Sequence, residues 1–311
     1  MASRHTGAVS AATGARSWAS AFGVRERLLP YALISPLLVT IVGLALVPAG
    51  FTVVQSFFTV NPLDPPTRFS GFTNFADLFD TPTVLTSAGN TVIYVAVGVV
   101  LSTVLGMVMA VTLQRNFVGR SIVIAVMVLP WALPGVVAAL VWGGIYAPNS
   151  GLLNGVLSSL HLIDHYQVFL GQDQVLTIVL IELVQVWQIT PLSTLLILAV
   201  LQVIPAELYE AAQLDGCNPW KAFFRITLPL ARAGIAIAMV QAVVATLNVF
   251  DQPYILNGAA TTGASIMMQA YFISFQNLNF GQGYALSLLI TIVTMVISLV
   301  VVRAVYRKVE F

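Results

Sequence analysis

The chain has 311 residues, of which 58% are hydrophobic and only 8% charged, and its formal net charge is +1. Soluble domains carry roughly a quarter charged residues, so a soluble fold of this composition could not cover its surface. The composition therefore predicts a membrane protein. A single cysteine, Cys217, excludes an internal disulfide framework and a cysteine-based metal cluster, and the scattered histidines predict no metal site.

The N-terminal residues do not follow the pattern of a cleaved secretory signal. Residues 1–27 are rich in Ala, Ser and Gly and carry four arginines. A signal would need a basic start, a short apolar run and a small-residue cleavage site. The apolar run that follows is long enough to span a membrane. We expect residues 1–27 to form a cytoplasmic tail and residues 28–311 to form the transmembrane domain.

Six stretches of the chain could cross a membrane, since a spanning helix needs about 20 mostly apolar residues. They are residues 29–58, 87–113, 121–146, 175–201, 233–256 and 282–304. The first and third contain prolines, which are tolerated where neighbouring groups satisfy the freed backbone carbonyls. The sequence thus predicts an all-α, polytopic fold with six transmembrane helices.

Basic residues predict the orientation, because cytoplasmic loops carry an excess of Lys and Arg. Six spans place both termini and the loops at 114–120 and 202–232 on one side. That side would hold 12 of the 13 basic residues: Arg4, Arg16, Arg25, Arg27, Arg115, Arg120, Lys221, Arg225, Arg232, Arg303, Arg307 and Lys308. Only Arg68 would lie on the other side. Both termini are therefore expected to be cytoplasmic.

The connection between the fourth and fifth spans, residues 205–232, is unusually long and predicts two short helices. Pro205 suits the first position of a helix, where its missing N–H costs nothing. Gly216 can end that helix, since glycine adopts the left-handed conformation common after a helix. Asn218 and Pro219 suit the cap and first position of a second helix. The alternative is an amphipathic connector that merely lies on the membrane surface.

The same connection carries a specific motif. Glu210-Ala211-Ala212 is followed by Asp215-Gly216 and then by Ile226-x-Leu228-Pro229. This pattern resembles the EAA loop of permease subunits of ATP-binding-cassette (ABC) importers, and only Cys217, where alanine is common, departs mildly from it. The resemblance implies a type I ABC-importer permease fold and eight residues that couple to an ATPase: Glu210, Ala211, Ala212, Asp215, Gly216, Ile226, Leu228 and Pro229.

The resemblance also implies partners and a location. The chain contains no G-x-x-x-x-G-K-[ST] phosphate loop, so a non-catalytic permease would work with two separate ATP-binding subunits. ATP and Mg would be bound there, and no cofactor is expected in this chain. A second permease and an extracytoplasmic solute-binding lipoprotein or periplasmic protein complete the expected assembly in a bacterial inner or plasma membrane, surrounded by lipid and without nucleic acid.

Looser features resemble the carbohydrate-uptake branch of these permeases, which includes the larger permease of the maltose transporter. They are Asn90-Thr91, Pro148-x-x-Gly151-x-x-Asn154, Trp187-x-x-Thr190-Pro191 and Phe250-Asp251 with Tyr254-Ile255-Leu256. The resemblance implies a disaccharide or oligosaccharide as the solute. A glycerol-phosphate-like solute is an alternative, although the spans hold few basic residues.

Polar residues within the fourth and fifth predicted spans are candidates for a substrate path, because buried polar groups in a membrane usually face a cavity or a partner helix. The candidates are Glu182, Gln185, Trp187, Gln188, Asn248 and Asp251. Amides, carboxylates and an aromatic face suit a hydroxyl-rich ligand. Hydrogen bonding between helices is the competing interpretation for each of them.

A different class of protein, an ion-coupled secondary transporter working alone, could use Glu182 and Asp251 as coupling groups. That interpretation leaves the EAA motif unexplained. An intramembrane enzyme is rejected because the spans contain no Ser/His pair and no His/Glu metal set. The sequence therefore favours the importer permease.

Overall fold

The computed structural model describes residues 29–258 and 260–306, and the chain divides into two compact units after Val54. The predicted N-terminal tail at 1–27 lies outside the described residues. So do the C-terminal basic residues Arg307 and Lys308. The two units are described separately below.

The described part of the first unit lies in the helix α1, Leu29–Gln55, whose last residue belongs to the second unit. This helix is long and apolar enough to cross a membrane. Its middle, Val42–Leu46, is a π-helical segment, which precedes Pro48. A proline removes one backbone donor from a helix, and a wider turn accommodates that loss. The Thr40 hydroxyl donates to the Pro36 carbonyl at 2.9 Å. The helix predicted over 29–58 is confirmed, with its end at Gln55.

The second unit contains the other elements. In chain order they are β1 (Phe58–Thr59), β2 (Arg68–Phe69), α2 (Thr73–Phe79), α3 (Pro82–Gln114), α4 (Arg120–Ala132), α5 (Gly135–Tyr146), α6 (Leu152–Ser159), α7 (Gln174–Leu201), α8 (Ala206–Leu214), α9 (Pro219–Leu230), α10 (Arg232–Leu247), α11 (Asp251–Asn257), α12 (Ile266–Tyr271) and α13 (Phe280–Val305). The described residues are thus mostly helical, with one short antiparallel strand pair.

Four helices of the described residues, α1, α3, α7 and α13, are long and apolar enough to cross a membrane. Two further pairs pass the same test but are bent. The α4–α5 pair bends by 98° and the α9–α10 pair by 68°. Counting each bent pair as one span gives six. The bend between α4 and α5 lies at Leu133-Pro134, where proline prevents continuation of the helical hydrogen bonds.

The core lies between α3 and α7, which pack along much of their length, and α10 packs against both and against α13. Gly106 of α3 makes the close approach possible, since a Cβ there would lie 3.0 Å from the Cβ of Ser193 on α7. Small residues at such contacts are the usual means by which helices associate in a membrane, where lipid removes the hydrophobic driving force.

Side chains of α3 hold the connection between α11 and α12. Asn90 donates to the Ala264 carbonyl at 3.0 Å, and the Tyr94 hydroxyl donates to the Gly263 carbonyl at 2.8 Å. The Thr91 hydroxyl accepts from the Ile266 N–H at 2.8 Å. The Asn90-Thr91 pair noted in the sequence therefore fixes a distant turn and with it the start of α12.

The fifth predicted span, residues 233–256, is wrong as one continuous helix. The helix α10 ends at Leu247, and α11 begins at Asp251. The Asn248 side chain donates to the Val244 carbonyl at 2.8 Å. Such local side-chain bonds compete with the helical ladder and favour its end. Asn248 and Asp251, on either side of the break, both line the cavity described below.

Candidate functional site

The EAA loop, residues 205–232, forms two capped helices, as the sequence predicts. The helix α8 begins at Ala206 with Pro205 as its cap, one position from the expected arrangement. Gly216, with φ of +72°, follows the end of α8 in the left-handed region. The Asn218 side chain accepts from the Lys221 N–H at 2.8 Å and caps α9. The loop is thus a folded element.

The eight motif residues are spread over both helices of this loop. Three lie on α8, two follow its end and three lie in the second half of α9, in the order Glu210, Ala211, Ala212; Asp215, Gly216; Ile226, Leu228, Pro229. A hydrogen bond of 3.0 Å joins the hydroxyls of Tyr209 on α8 and Thr227 on α9. This bond ties the two helices together, and the sequence pattern had singled out neither residue.

Large apolar side chains of the loop are exposed in the described chain. Leu214 is 90% exposed, Trp220 74% and Phe224 57%. The Trp220 and Phe224 rings stack with centroids 6.4 Å apart. Exposed apolar side chains that cluster, as this stacked pair does, are typical of a contact with another protein or a membrane. The loop therefore presents a surface suited to a partner.

A second site is the polar cavity, a space of about 350 Å³ between α4–α5, α7 and α10–α11. Its lining comprises Trp131, Gly135, Gln185, Gln188, Ile189, Gln241, Ala245, Asn248, Val249, Phe250, Asp251 and Gln252. Four of the six candidate path residues, Gln185, Gln188, Asn248 and Asp251, meet here. Small-molecule sites commonly measure roughly 300–1,000 Å³, so the cavity is large enough for a small ligand.

Amide side chains in the polar cavity are held by one another and by the backbone. Gln188 donates to the Leu133 carbonyl at 2.8 Å and accepts from Gln252 at 2.7 Å. Gln185 donates to the Ala245 carbonyl at 3.3 Å. Each of these amides can still donate or accept at least one further hydrogen bond. These contacts fix amides of two elements, α7 and α11, around one space.

Asp251, the first residue of α11, lies against the beginning of α5. Its carboxylate occupies the space that a Cβ at Gly135 would take, and the nearest atom, Asp251 Oδ2, would collide with it. The glycine therefore permits the carboxylate to approach the bend between α4 and α5. This contact links the break after α10 to the bend in the third predicted span.

Two candidate path residues do not lie in the polar cavity. Glu182 is only 2% exposed and lies, as Thr246 of α10 does, in the space that a Cβ at Gly98 of α3 would take. Trp187 contacts Trp142 of α5 edge to face, with ring centroids 5.7 Å apart. The Glu182 side chain thus turns towards α3 and does not line the cavity that Gln185 and Gln188 share.

Eight of the twelve lining residues were not candidates for a path, and three of these carry polar or indole side chains. Gln241 and Gln252 line the cavity from α10 and α11, and Trp131 lines it from α4. Gln241 and Gln252 are polar residues of the fifth predicted span, and that alone could have marked them. A tryptophan in an apolar span also fits the interfacial aromatic belt, so nothing local in the sequence marks Trp131 as a cavity residue.

A family model describing the inner membrane component of binding-protein-dependent transport systems matches residues 102–310. That stretch includes the EAA loop and the whole lining of the polar cavity. The chain belongs to this family.

Among known members of the family, the permease protein MalF of the trehalose/maltose transport system of Thermococcus litoralis is similar. It is 32% identical over 90% of this chain and 94% of its own length. The trehalose transport system permease SugA of Mycobacterium tuberculosis is 27% identical over 95% of this chain and 92% of its own length. A crystal structure of a bacterial ABC transporter involved in alginate import contains a chain of similar fold, with a TM-score of 0.78 and 21% sequence identity to this chain. The match covers 94% of this chain and 100% of that chain. The chain thus has the fold of an ABC-importer permease.

Proposed function

We propose that this transport-system component is the permease subunit of a sugar importer. It forms, with a second permease, a path for a disaccharide or oligosaccharide. Separate ATP-binding subunits act on the EAA loop and so power transport along this path. An extracytoplasmic solute-binding protein delivers the sugar. The observation that carries the proposal is the combination, in one chain, of a folded EAA loop and a cavity lined by amides and a carboxylate.

The EAA loop supports coupling to an ATPase. Its two helices are capped and joined by the hydrogen bond between Tyr209 and Thr227. A displacement of α8 by a bound ATPase would therefore also move α9 and, through it, α10. The exposed side chains of Leu214, Trp220 and Phe224 give a partner an apolar surface to bury. Burial of apolar area is the main favourable term in most protein associations.

The polar cavity supports a sugar as the solute. Gln185, Gln188, Asn248 and Gln252 offer amide donors and acceptors, and Asp251 offers a carboxylate. The described lining includes no Lys or Arg, the groups that would balance a phosphate. A glycerol-phosphate-like solute is therefore the weaker alternative. The similar permeases from Thermococcus and Mycobacterium, which serve trehalose or maltose systems by their names, give the first sugars to try.

Six membrane spans with both termini in the cytoplasm complete the proposal. Each bent pair, α4–α5 and α9–α10, then counts as one span. In that arrangement the EAA loop shares the cytoplasmic side with Arg115, Arg120 and Arg303, in agreement with the basic-residue rule.

The sugar assignment is tested with the assembled complex of both permeases, the ATPase subunits and the solute-binding protein. ATPase activity is measured with the binding protein loaded with trehalose, loaded with maltose, loaded with glycerol 3-phosphate, or empty. We expect stimulation by at least one loaded sugar and none by glycerol phosphate. Stimulation by glycerol phosphate alone would refute the sugar class.

A further inference from the structure

Five aromatic residues form a continuous series of ring contacts next to the polar cavity. They are Phe250, Tyr254, Tyr271, Phe275 and Phe280, and we call them the aromatic row. The centroids of Phe250 and Tyr254 are 5.1 Å apart, and those of Phe250 and Tyr271 are 5.2 Å apart. The series continues from Tyr271 to Phe275 at 5.2 Å and from Phe275 to Phe280 at 5.9 Å.

The aromatic row runs from the polar cavity to an exposed ring. Phe250 is part of the cavity lining, whereas Phe275 is 61% exposed. The row lies at the end of α10 opposite the EAA loop, because α10 runs from that loop to Leu247 and the row follows it. The ring contacts therefore connect an exposed side chain, Phe275, with the cavity lining at Phe250.

The inner rings of the row are supported from one side. Phe250, Tyr254 and Tyr271 pack against a buried cluster of Ala264, Met268 and Phe272. The three rings themselves are only half-buried. The hydrogen bonds from α3 fix the turn that carries Ala264 and so the start of α12. The row is therefore a fixed surface with part of its rings uncovered.

Such a surface fits the chemistry of a sugar ring. A pyranose presents axial C–H groups on its faces and hydroxyls around its edge. The C–H groups carry a small positive charge and are attracted to the negative face of an aromatic ring. The tyrosine hydroxyls of the row can exchange hydrogen bonds with the sugar's edge. A lipid chain would gain no comparable match from a row that ends among amides and a carboxylate.

We propose that the aromatic row is a binding track on which sugar rings stack on their way to the polar cavity. The inference rests on the proposed function, since it assumes that the solute is a sugar. It adds a ligand-binding surface that continues from the cavity lining at Phe250 to the start of α13 at Phe280. Neither the EAA motif nor the polar residues of the spans pointed to this surface.

The test compares Phe275→Leu, which removes the flat face but keeps an apolar side chain, with Phe275→Trp, which keeps a flat face. The control is Phe79→Leu on α2, because Phe79 is 63% exposed and lies outside the row. The complete complex is placed in proteoliposomes, and uptake of radiolabelled trehalose or maltose is measured, whichever the wild type imports. We expect Phe275→Leu to lower uptake roughly two- to tenfold, while Phe275→Trp and Phe79→Leu stay near the wild type.

Two results would overturn the track. One is equal uptake by Phe275→Leu and Phe79→Leu. The other is loss of the second permease from the purified Phe275→Leu complex, which would make the row a contact between permeases. Both results leave the proposed function standing, because the wild type still imports sugar. A wild-type complex that imports no sugar at all would instead refute the proposed function and the track with it.

Discussion

Single glycines decide where polar groups lie in this chain. At Gly135 the missing Cβ leaves room for the Asp251 carboxylate, and at Gly98 it leaves room for Glu182 and Thr246. Both contacts join residues that are more than 80 positions apart in the chain. Sequence patterns could mark the polar residues but could not tell which of them would point into a shared cavity.

Gly135→Ala tests the contact with Asp251. The added methyl group would force the carboxylate away from the bend, at a cost of about 1–3 kcal/mol. We expect ATPase stimulation by the sugar-loaded binding protein to fall, while the complex still assembles. Gly144→Ala on the same helix is the control, since a Cβ there meets nothing within 4 Å. Equal stimulation in the two variants would show that the position of Asp251 does not matter to transport.

Gly98→Ala tests the packing of α3 against α7 and α10. Its Cβ would collide with Glu182 and Thr246, and we expect a loss of stability of about 1–3 kcal/mol. The midpoint of thermal unfolding of the detergent-solubilised complex measures this loss. Gly89→Ala on the exposed side of α3 should leave the midpoint unchanged or raise it, because alanine favours a helix over glycine. An unchanged midpoint for Gly98→Ala would contradict the packing.

Elements that depend on local signals were predicted well from the sequence. Asn218-Pro219 at the start of α9 and Gly216 after α8 are determined by caps and backbone conformation within a few residues. The break after α10 was missed, because Asn248 and its neighbours lie in an apolar stretch that looks like a continuous helix. The bend between α4 and α5 was signalled by Pro134, but its angle of 98° depends on tertiary packing.

Glu210→Lys tests the EAA loop as the coupling element. The reversed charge on α8 would disturb docking of an ATPase without touching the polar cavity. We expect sugar uptake to be abolished while the protein still inserts in the membrane and remains folded. Glu207→Lys is the matched control, since this exposed glutamate lies on the same helix but outside the motif. Normal uptake by Glu210→Lys in cells would count against the coupling role.

At the scale of the whole molecule, the proposed six spans would place the EAA loop and the C-terminus on one side and the connection around α6 on the other. The uneven distribution of basic residues carried this prediction. A fluorescent protein fused after Phe311 should fluoresce, as it does in the cytoplasm, and alkaline phosphatase fused after Leu160 should be active. A dark fusion after Phe311, or an inactive phosphatase after Leu160, would contradict the proposed orientation.

The central claim is that ATP hydrolysis by partner subunits moves a sugar through this permease. The most direct measurement is uptake of labelled trehalose or maltose into proteoliposomes that contain the complete complex, with and without enclosed ATP. The account predicts uptake only when ATP, the ATPase subunits and the sugar-loaded binding protein are all present, and none with Glu210→Lys. Uptake by this permease without ATPase subunits, driven by an ion gradient, would contradict it.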